Sequence, residues 1–115
     1  LPVISNKSWI YYKFKELLFE NYRHQHKIRF YAERLSVSNI YLSKIVKEET
    51  GKTIHEHITR LLYTEAKKML SCSKNNIQEI TDTLGFTDQA SFSKFFKRFA
   101  GISPTEYRNS MKNTT

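Results

Sequence analysis

Apolar residues recur along this chain at three- and four-residue intervals, the spacing of amphipathic helices. The clearest case is the segment 54–70. Its apolar stripe comprises Ile54, Ile58, Leu61, Leu62, Ala66, Met69 and Leu70. Thr53 and Glu56 stand before it at the spacing of a capping box. We therefore predict a helix of about 18 residues, roughly 27 Å long, which the polar run 71–76 ends.

Start and stop signals divide the rest of the chain into six further helices. The starts are marked by small polar residues, namely Ser8, Ser38, Asn76, Thr87 or Asp88, and Ser103. The ends are marked by Gly51, Gly85 and Gly101. Residues 28–35 form a short helix between the first and third. Only three Gly and two Pro occur, which argues against a hairpin-rich sheet. The pattern predicts an all-α fold of seven helices.

The chain repeats itself, because residues 42–56 align with residues 92–106 at an offset of 50. The identical pairs are Ser43 with Ser93, Lys44 with Lys94, Lys47 with Lys97, Gly51 with Gly101, and Glu56 with Glu106. Upstream the offset becomes 49, and Ser36 then aligns with Gly85 in a tight turn. Gly is usual there because it adopts a positive φ at little cost. A duplicated helix-turn-helix, each copy followed by a capped helix, explains the repeat.

The second helix of each copy has a buried and a polar face. Leu42, Ile45 and Val46 are expected inside in the first copy, and Phe92, Phe95, Phe96 and Phe99 in the second. The outward residues expected to read base edges are Asn39, Ile40, Ser43, Lys44, Gln89, Ala90, Ser91 and Lys94. Those expected to contact phosphates are Ser38, Lys47, Thr87, Lys97 and Arg98. One such surface is ordinary, whereas two at repeat spacing indicate DNA binding.

Composition supports this reading, since 19 Lys and Arg against 11 Asp and Glu give a net charge of +8 over 115 residues. An excess of positive charge indicates nucleic acid or an anionic membrane as partner. No apolar run approaches the ~18 residues of a membrane span, so no helix is expected to cross a membrane, and the leading interpretation has no membrane among its partners. A single cysteine excludes an internal disulfide and a Cys-rich zinc site and fits a reducing, cytoplasmic setting.

Other chemistry finds little support. His24 and His26, like His55 and His57, are two residues apart and point to different faces of a helix, so we expect no metal. Cys72 has no activating partner in the sequence, and no Gly-rich phosphate loop or catalytic constellation occurs. We therefore expect neither an enzyme nor a cofactor. The remaining aromatic residues Trp9, Tyr11 and Tyr12 are expected in the core or at its rim.

Two stretches resemble the DNA-binding domain of the AraC/XylS family of bacterial transcription regulators. They are FYAERLSVSNIYLSKIVKEETGKT at 30–53 and LGFTDQASFSKFFKRFAGISPTEYR at 84–108. The resemblance implies a homeodomain-like domain over residues 8–110, with recognition helices at 38–50 and 87–99. Its parts would be a first helix-turn-helix at 28–50, a linker helix at 54–70 and a second helix-turn-helix at 77–100. Residues 1–7 would be a linker remnant and 111–115 a tail.

The resemblance also implies a function. The two recognition helices would enter successive major-groove segments of double-stranded promoter DNA, ~34 Å apart, and read its sequence. The full regulator would be an activator that works beside RNA polymerase and carries an N-terminal sensor or dimerisation domain. Two alternatives stay open: a nonspecific, architectural nucleic-acid binder, and a basic helical module that meets an acidic protein or a membrane.

Overall fold

The computed structural model describes residues 6–112, which form seven α-helices and no strand. The helices are α1 (Asn6–Asn21), α2 (Ile28–Arg34), α3 (Asn39–Thr50), α4 (Ile54–Cys72), α5 (Ile77–Thr83), α6 (Gln89–Ala100) and α7 (Pro104–Lys112). The all-α prediction is confirmed. The chain divides into two compact units whose boundary follows Arg60, inside α4. None of the helices within 6–112 is both long enough and apolar enough to cross a membrane.

In the first unit, α1 packs against α2 and α3. The buried side chains include the predicted Leu42, Ile45 and Val46 of α3, together with Phe14, Tyr31 and Ile58. Two serines precede α3 and shape its start. Ser38 is the N-cap of α3, and its Oγ accepts a hydrogen bond from the Tyr41 backbone N–H at 3.0 Å. Ser36, in the turn before, has φ +57°, the left-handed conformation that its alignment with Gly85 predicted.

In the second unit, α6 packs against α5 and α7 over a core that includes Leu84, Phe92 and Phe96. Thr81 is the one polar residue buried there among those described, and its Oγ1 donates to the Ile77 carbonyl at 2.8 Å, which satisfies the hydroxyl. Asn76 and Glu79 form the predicted capping box at the start of α5. These bonds are local to α5: they satisfy its buried hydroxyl and stabilise its first turn.

Three helix boundaries differ from the predictions. Helix α1 begins at Asn6, so residues 6 and 7 are not linker, and Lys7 Nζ lies 3.5 Å from Glu48 Oε2 of α3. Helix α4 continues to Cys72, two residues beyond the predicted end, and the Ser71 Oγ in this extension donates to the Lys67 carbonyl at 2.7 Å. Helix α7 includes residues 111 and 112 of the predicted tail. Residues 1–5 and 113–115 lie outside the described part of the chain.

Several aromatic side chains are more exposed than predicted. Phe92 and Phe96 are buried as predicted. Phe95 is half-buried and Phe99 is 46% exposed, so the prediction of a buried side chain is wrong for Phe95 and Phe99. Phe99 lies at the edge of the second unit, stacked on Tyr63 with ring centroids 5.6 Å apart. Trp9 is 48% exposed and stacks on the similarly exposed Tyr12, so neither belongs to the core.

Candidate nucleic-acid interface

The first candidate surface lies on α3, opposite its buried face. Asn39, Ile40 and Lys44 are exposed, and Ser43 is half-buried. Ile40 is 83% exposed, an unusual position for a large apolar side chain on an otherwise polar surface. The opposite face of α3 packs into the core through three buried residues, Leu42, Ile45 and Val46. Helical periodicity therefore turns the candidate residues outward. The structure thus brings the four predicted base-reading residues of the first copy to one helix face.

The second candidate surface lies at the start of α6, where Gln89, Ala90, Ser91 and Lys94 are all exposed. Asp88 is the N-cap, its carboxylate accepting from the Ser91 backbone N–H at 2.7 Å. This hydrogen bond lowers the pKa of Asp88, so the cap stays anionic at neutral pH. A negative charge at a helix N-terminus also interacts favourably with the helix dipole. The first turn of α6 is therefore held firmly while its other side chains face water.

The predicted phosphate contacts lie around the ends of the same helices. Lys97 and Arg98 are exposed in the last turn of α6, and Thr87 is exposed just before its cap. Lys47 Nζ donates to the Gly51 carbonyl at 3.0 Å, which leaves two of its three N–H donors for another acceptor. Ser38 uses its Oγ as an acceptor at the N-cap, so its own proton can still be donated. Each of these groups can therefore donate to an anion.

One residue beside the second surface was missed from the sequence. Gln78 of α5 is exposed, and its Oε1 accepts a hydrogen bond from Gln89 Nε2 at 2.9 Å. Its Nε2 donates in turn to Asp82 Oδ1 at 2.8 Å. The signal available in the sequence was weak: two glutamines eleven residues apart, one in each helix of a predicted helix-turn-helix.

The remaining candidates from the sequence are the histidines and the single cysteine. Among residues 6–112, no three His, Cys, Asp or Glu side chains gather as metal ligands would. His57 Nε2 lies 2.9 Å from Thr50 Oγ1, and burial together with the nearby Lys52 and Arg60 lowers its pKa. Cys72 is an exposed free thiol at the end of α4.

Comparison with known proteins identifies the family. Residues 31–110 match the model of a helix-turn-helix domain. The Msm operon regulatory protein of Streptococcus mutans is 31% identical over 99 residues, covering 86% of this chain and 36% of that protein. The raffinose operon transcriptional regulatory protein RafR of Pediococcus pentosaceus is 36% identical over 94 residues, covering 82% of this chain and 34% of that protein. The chain thus spans about a third of the length of these curated relatives.

A solved structure agrees with the sequence matches. The C-terminal domain of AraT, a response regulator from Geobacillus stearothermophilus, superposes with a TM-score of 0.84 at 29% identity, covering 92% of this chain and 88% of that one. The relatives are transcription regulators and not enzymes, as the residues predicted. The chain belongs to the AraC/XylS family of transcription regulators, as a DNA-binding domain of the helix-turn-helix type.

Proposed function

We propose that this domain binds double-stranded promoter DNA sequence-specifically, with α3 and α6 in successive major-groove segments. The observation that carries the proposal is a repeated polar face, in which the half-buried Ser43 and the exposed Lys44 and Lys47 of α3 recur as the half-buried Ser93 and the exposed Lys94 and Lys97 of α6. Each set lies opposite buried apolar residues. A B-DNA major groove admits one α-helix and presents a distinct pattern of donors and acceptors for each base pair. Two polar helices on separate units fit two such segments.

The residue types suggest individual roles in this complex. Asn39 and Gln89 carry amides, which pair with adenine N6 and N7, while Lys44 and Lys94 donate to guanine O6 and N7. Ile40 and Ala90 offer methyl groups to thymine, and Ser43 and Ser91 are small enough to let the backbone approach a base edge. The expected phosphate donors are Ser38, Lys47, Thr87, Lys97 and Arg98. Phosphate contacts add affinity without reading sequence.

The same proposal extends to the regulator as a whole. Because the curated relatives are about three times as long, we place this domain in a longer protein with an N-terminal sensor or dimerisation domain. DNA binding would position the protein beside RNA polymerase as a transcription activator. This role belongs to the bacterial cytoplasm, where promoter DNA lies.

Selection of bound sites from a random duplex pool tests the proposal. We expect a motif in two parts about one helical turn apart, and an affinity for the selected duplex at least ~10³-fold above a scrambled one. Neutralising about five to eight phosphates gives a log–log salt slope of roughly −5 to −7. Affinities within a few fold of each other would favour an architectural binder. Binding to anionic vesicles without duplex binding at moderate salt would favour an interaction module.

Two lysines one turn apart on α3 provide a matched pair of variants. Lys44→Ala should lose about 1–3 kcal/mol of binding on the selected duplex and relax the preference at one base pair. Lys47→Ala should weaken all duplexes similarly, because a phosphate contact carries no sequence information. Lys94→Ala and Lys97→Ala repeat the comparison on α6. Equal losses on selected and scrambled duplex for Lys44→Ala would remove its base-reading role.

A further inference from the structure

The hydrogen bonds around Gln89 form a directed chain. Gln89 Nε2 donates to Gln78 Oε1 at 2.9 Å, and Gln78 Nε2 donates to Asp82 Oδ1 at 2.8 Å. The second and third members stand on α5, which is anchored by its capping box and by the fully buried Ile80. The chain therefore connects the first residue of the recognition helix α6 to a fixed element of the same unit.

The polarity of this chain follows from its last member. A carboxylate accepts hydrogen bonds and cannot donate them, so Asp82 requires the NH₂ side of the Gln78 amide. The Gln78 oxygen must then face Gln89, which in turn must present its own NH₂ group. Rotating either amide by 180° would bring two oxygen atoms together. An unrestrained glutamine has no such preference, since its terminal torsion is broad and roughly two-fold.

The hydrogen bond to Gln78 leaves Gln89 with one amide N–H and the amide oxygen, which are the donor and acceptor that a bidentate contact to adenine uses. One Nε2 hydrogen is engaged by Gln78, and the second hydrogen and Oε1 remain available. A bidentate contact to adenine uses one amide N–H to N7 and the amide oxygen to N6–H. The rotated amide would offer these two groups in the opposite order.

We propose that Gln78 is a positioning residue that fixes the Gln89 amide and sharpens its preference for adenine at one base pair. The proposal rests on the proposed function, because it assumes that α6 reads DNA. Gln78 itself touches no base in this account. It acts through the orientation of Gln89, so its loss changes base preference and leaves the phosphate contacts as they are.

The first unit lacks this arrangement at the equivalent positions. There, at an offset of 49, Arg29 replaces Gln78 and Glu33 replaces Asp82, and Arg29 Nε donates to Glu33 Oε1 at 3.0 Å within α2. The start of α3 carries Asn39, whose side chain is one methylene shorter than that of Gln89. Arg29→Met is therefore a matched control. It removes the corresponding side chain and should leave the pattern of base preference unchanged.

The test compares binding to four duplexes that differ only at one base pair, measured by fluorescence anisotropy on the duplex obtained by selection. The position is the one at which Gln89→Ala loses its preference. Wild type should favour adenine there by roughly tenfold or more. Gln78→Met keeps the length and helix propensity of the side chain without its amide, and should reduce this preference at least ~5-fold while other positions keep theirs. The double variant with Gln89→Ala should match Gln89→Ala alone.

A conservative variant at position 78 tests whether an acceptor oxygen there is what orients the Gln89 amide. Gln78→Glu retains an oxygen that accepts from Gln89 but loses the N–H that donates to Asp82 and sets two carboxylates four residues apart. It should therefore retain more of the adenine preference than Gln78→Met and less than wild type, while its added negative charge weakens binding to every duplex. Circular dichroism and melting temperature confirm that each variant is folded. A merely structural role for Gln78 would alter the melting temperature and affinity and leave base preference intact.

The outcomes distinguish a failure of this role for Gln78 from a failure of the proposed function, sequence-specific DNA binding. If wild type binds selected and scrambled duplexes equally, the proposed function fails and the role of Gln78 fails with it. If wild type is specific but Gln89→Ala relaxes no position, or Gln78→Met leaves the preference unchanged, only the role of Gln78 is overturned. A uniform loss across all four duplexes for Gln78→Met also overturns it, because that result assigns Gln78 to the DNA backbone.

Discussion

Replacing Tyr31 by Phe removes one buried hydrogen bond from the first unit and leaves its packing in place. Tyr31 is fully buried, and its hydroxyl donates to the Gln25 carbonyl at 2.8 Å. Its ring packs edge-on against Phe14 and Phe30, with centroids 5.6 and 5.1 Å apart, and a phenylalanine ring keeps both contacts. The difference between the two proteins is therefore confined to the hydroxyl group.

The expected cost at pH 7 follows from that bond. A net intramolecular hydrogen bond contributes about 1 kcal/mol, and Gln25 is only half-buried, so water can reach the carbonyl after the change. We expect Tyr31→Phe to lower the free energy of unfolding by about 1 kcal/mol. With a urea slope of 1–3 kcal/mol per molar for a domain of this kind, the midpoint falls by roughly 0.3–1 M.

The stability lost on Tyr31→Phe should become smaller at high pH, because burial raises the pKa of Tyr31 from 10.0 to about 12. Below pH 10 both states hold the phenolic proton and the contribution to stability is complete. Between pH 10 and 12 the unfolded chain has released the proton and the folded chain retains it, so stability falls by up to about 1.4 kcal/mol per pH unit. Phenylalanine has no such loss. The two proteins should therefore become equally stable near pH 11.

Urea titrations at pH 7 and pH 11, followed by tryptophan fluorescence, measure the effect. Trp9 is the one tryptophan of the chain and lies on α1 of the same unit as Tyr31. Tyr41→Phe serves as control, since it removes a hydroxyl from a half-buried tyrosine of that unit. Equal midpoints for wild type and Tyr31→Phe at pH 7, or a difference that persists unchanged at pH 11, would refute the reasoning.

Three further changes test local features of the fold. Ser36→Gly should stabilise the first unit by about 0.5–1 kcal/mol, because Ser36 has φ +57°; a lower urea midpoint by Trp9 fluorescence would contradict this. Asn76→Ala should cost about 1 kcal/mol by removing the cap of α5, and an unchanged melting curve at 222 nm would argue against it. The Ser103 backbone N–H lowers the pKa of Glu106 below 4.5, so its stabilisation is complete above that pH and lost as pH falls through the lower value. Glu106→Gln should therefore flatten the acid side of the stability profile, and identical profiles would exclude this cap.

The regular elements could be predicted because their determinants are local. The spacing of Leu42, Ile45 and Val46 placed the buried face of α3, and all three are buried. Asn76 and Glu79 marked the start of α5 three residues apart, and both halves of the capping box are present. Caps and periodicity depend on neighbours within one turn of a helix, which the sequence displays directly.

Features that depend on neighbouring elements were missed. Periodicity placed Phe99 on the apolar face of α6, but how far α5 and α7 cover the last turn depends on their lengths and crossing angles, and Phe99 is 46% exposed. The contact between Gln78 and Gln89 joins two helices and depends on their separation in space. The candidate base-reading residues are placed on exposed helix faces, where their roles stay predictions.

If α3 reads DNA as proposed, the positive φ of Ser36 has a practical consequence for changing DNA specificity by directed evolution. Substitutions in a recognition helix tend to destabilise the protein, and libraries lose variants that no longer fold. Ser36 is itself exposed and belongs to neither candidate surface, so glycine at that position offers a starting scaffold with a wider margin. Libraries built on α3 from that scaffold should retain more folded members than libraries built on the natural chain.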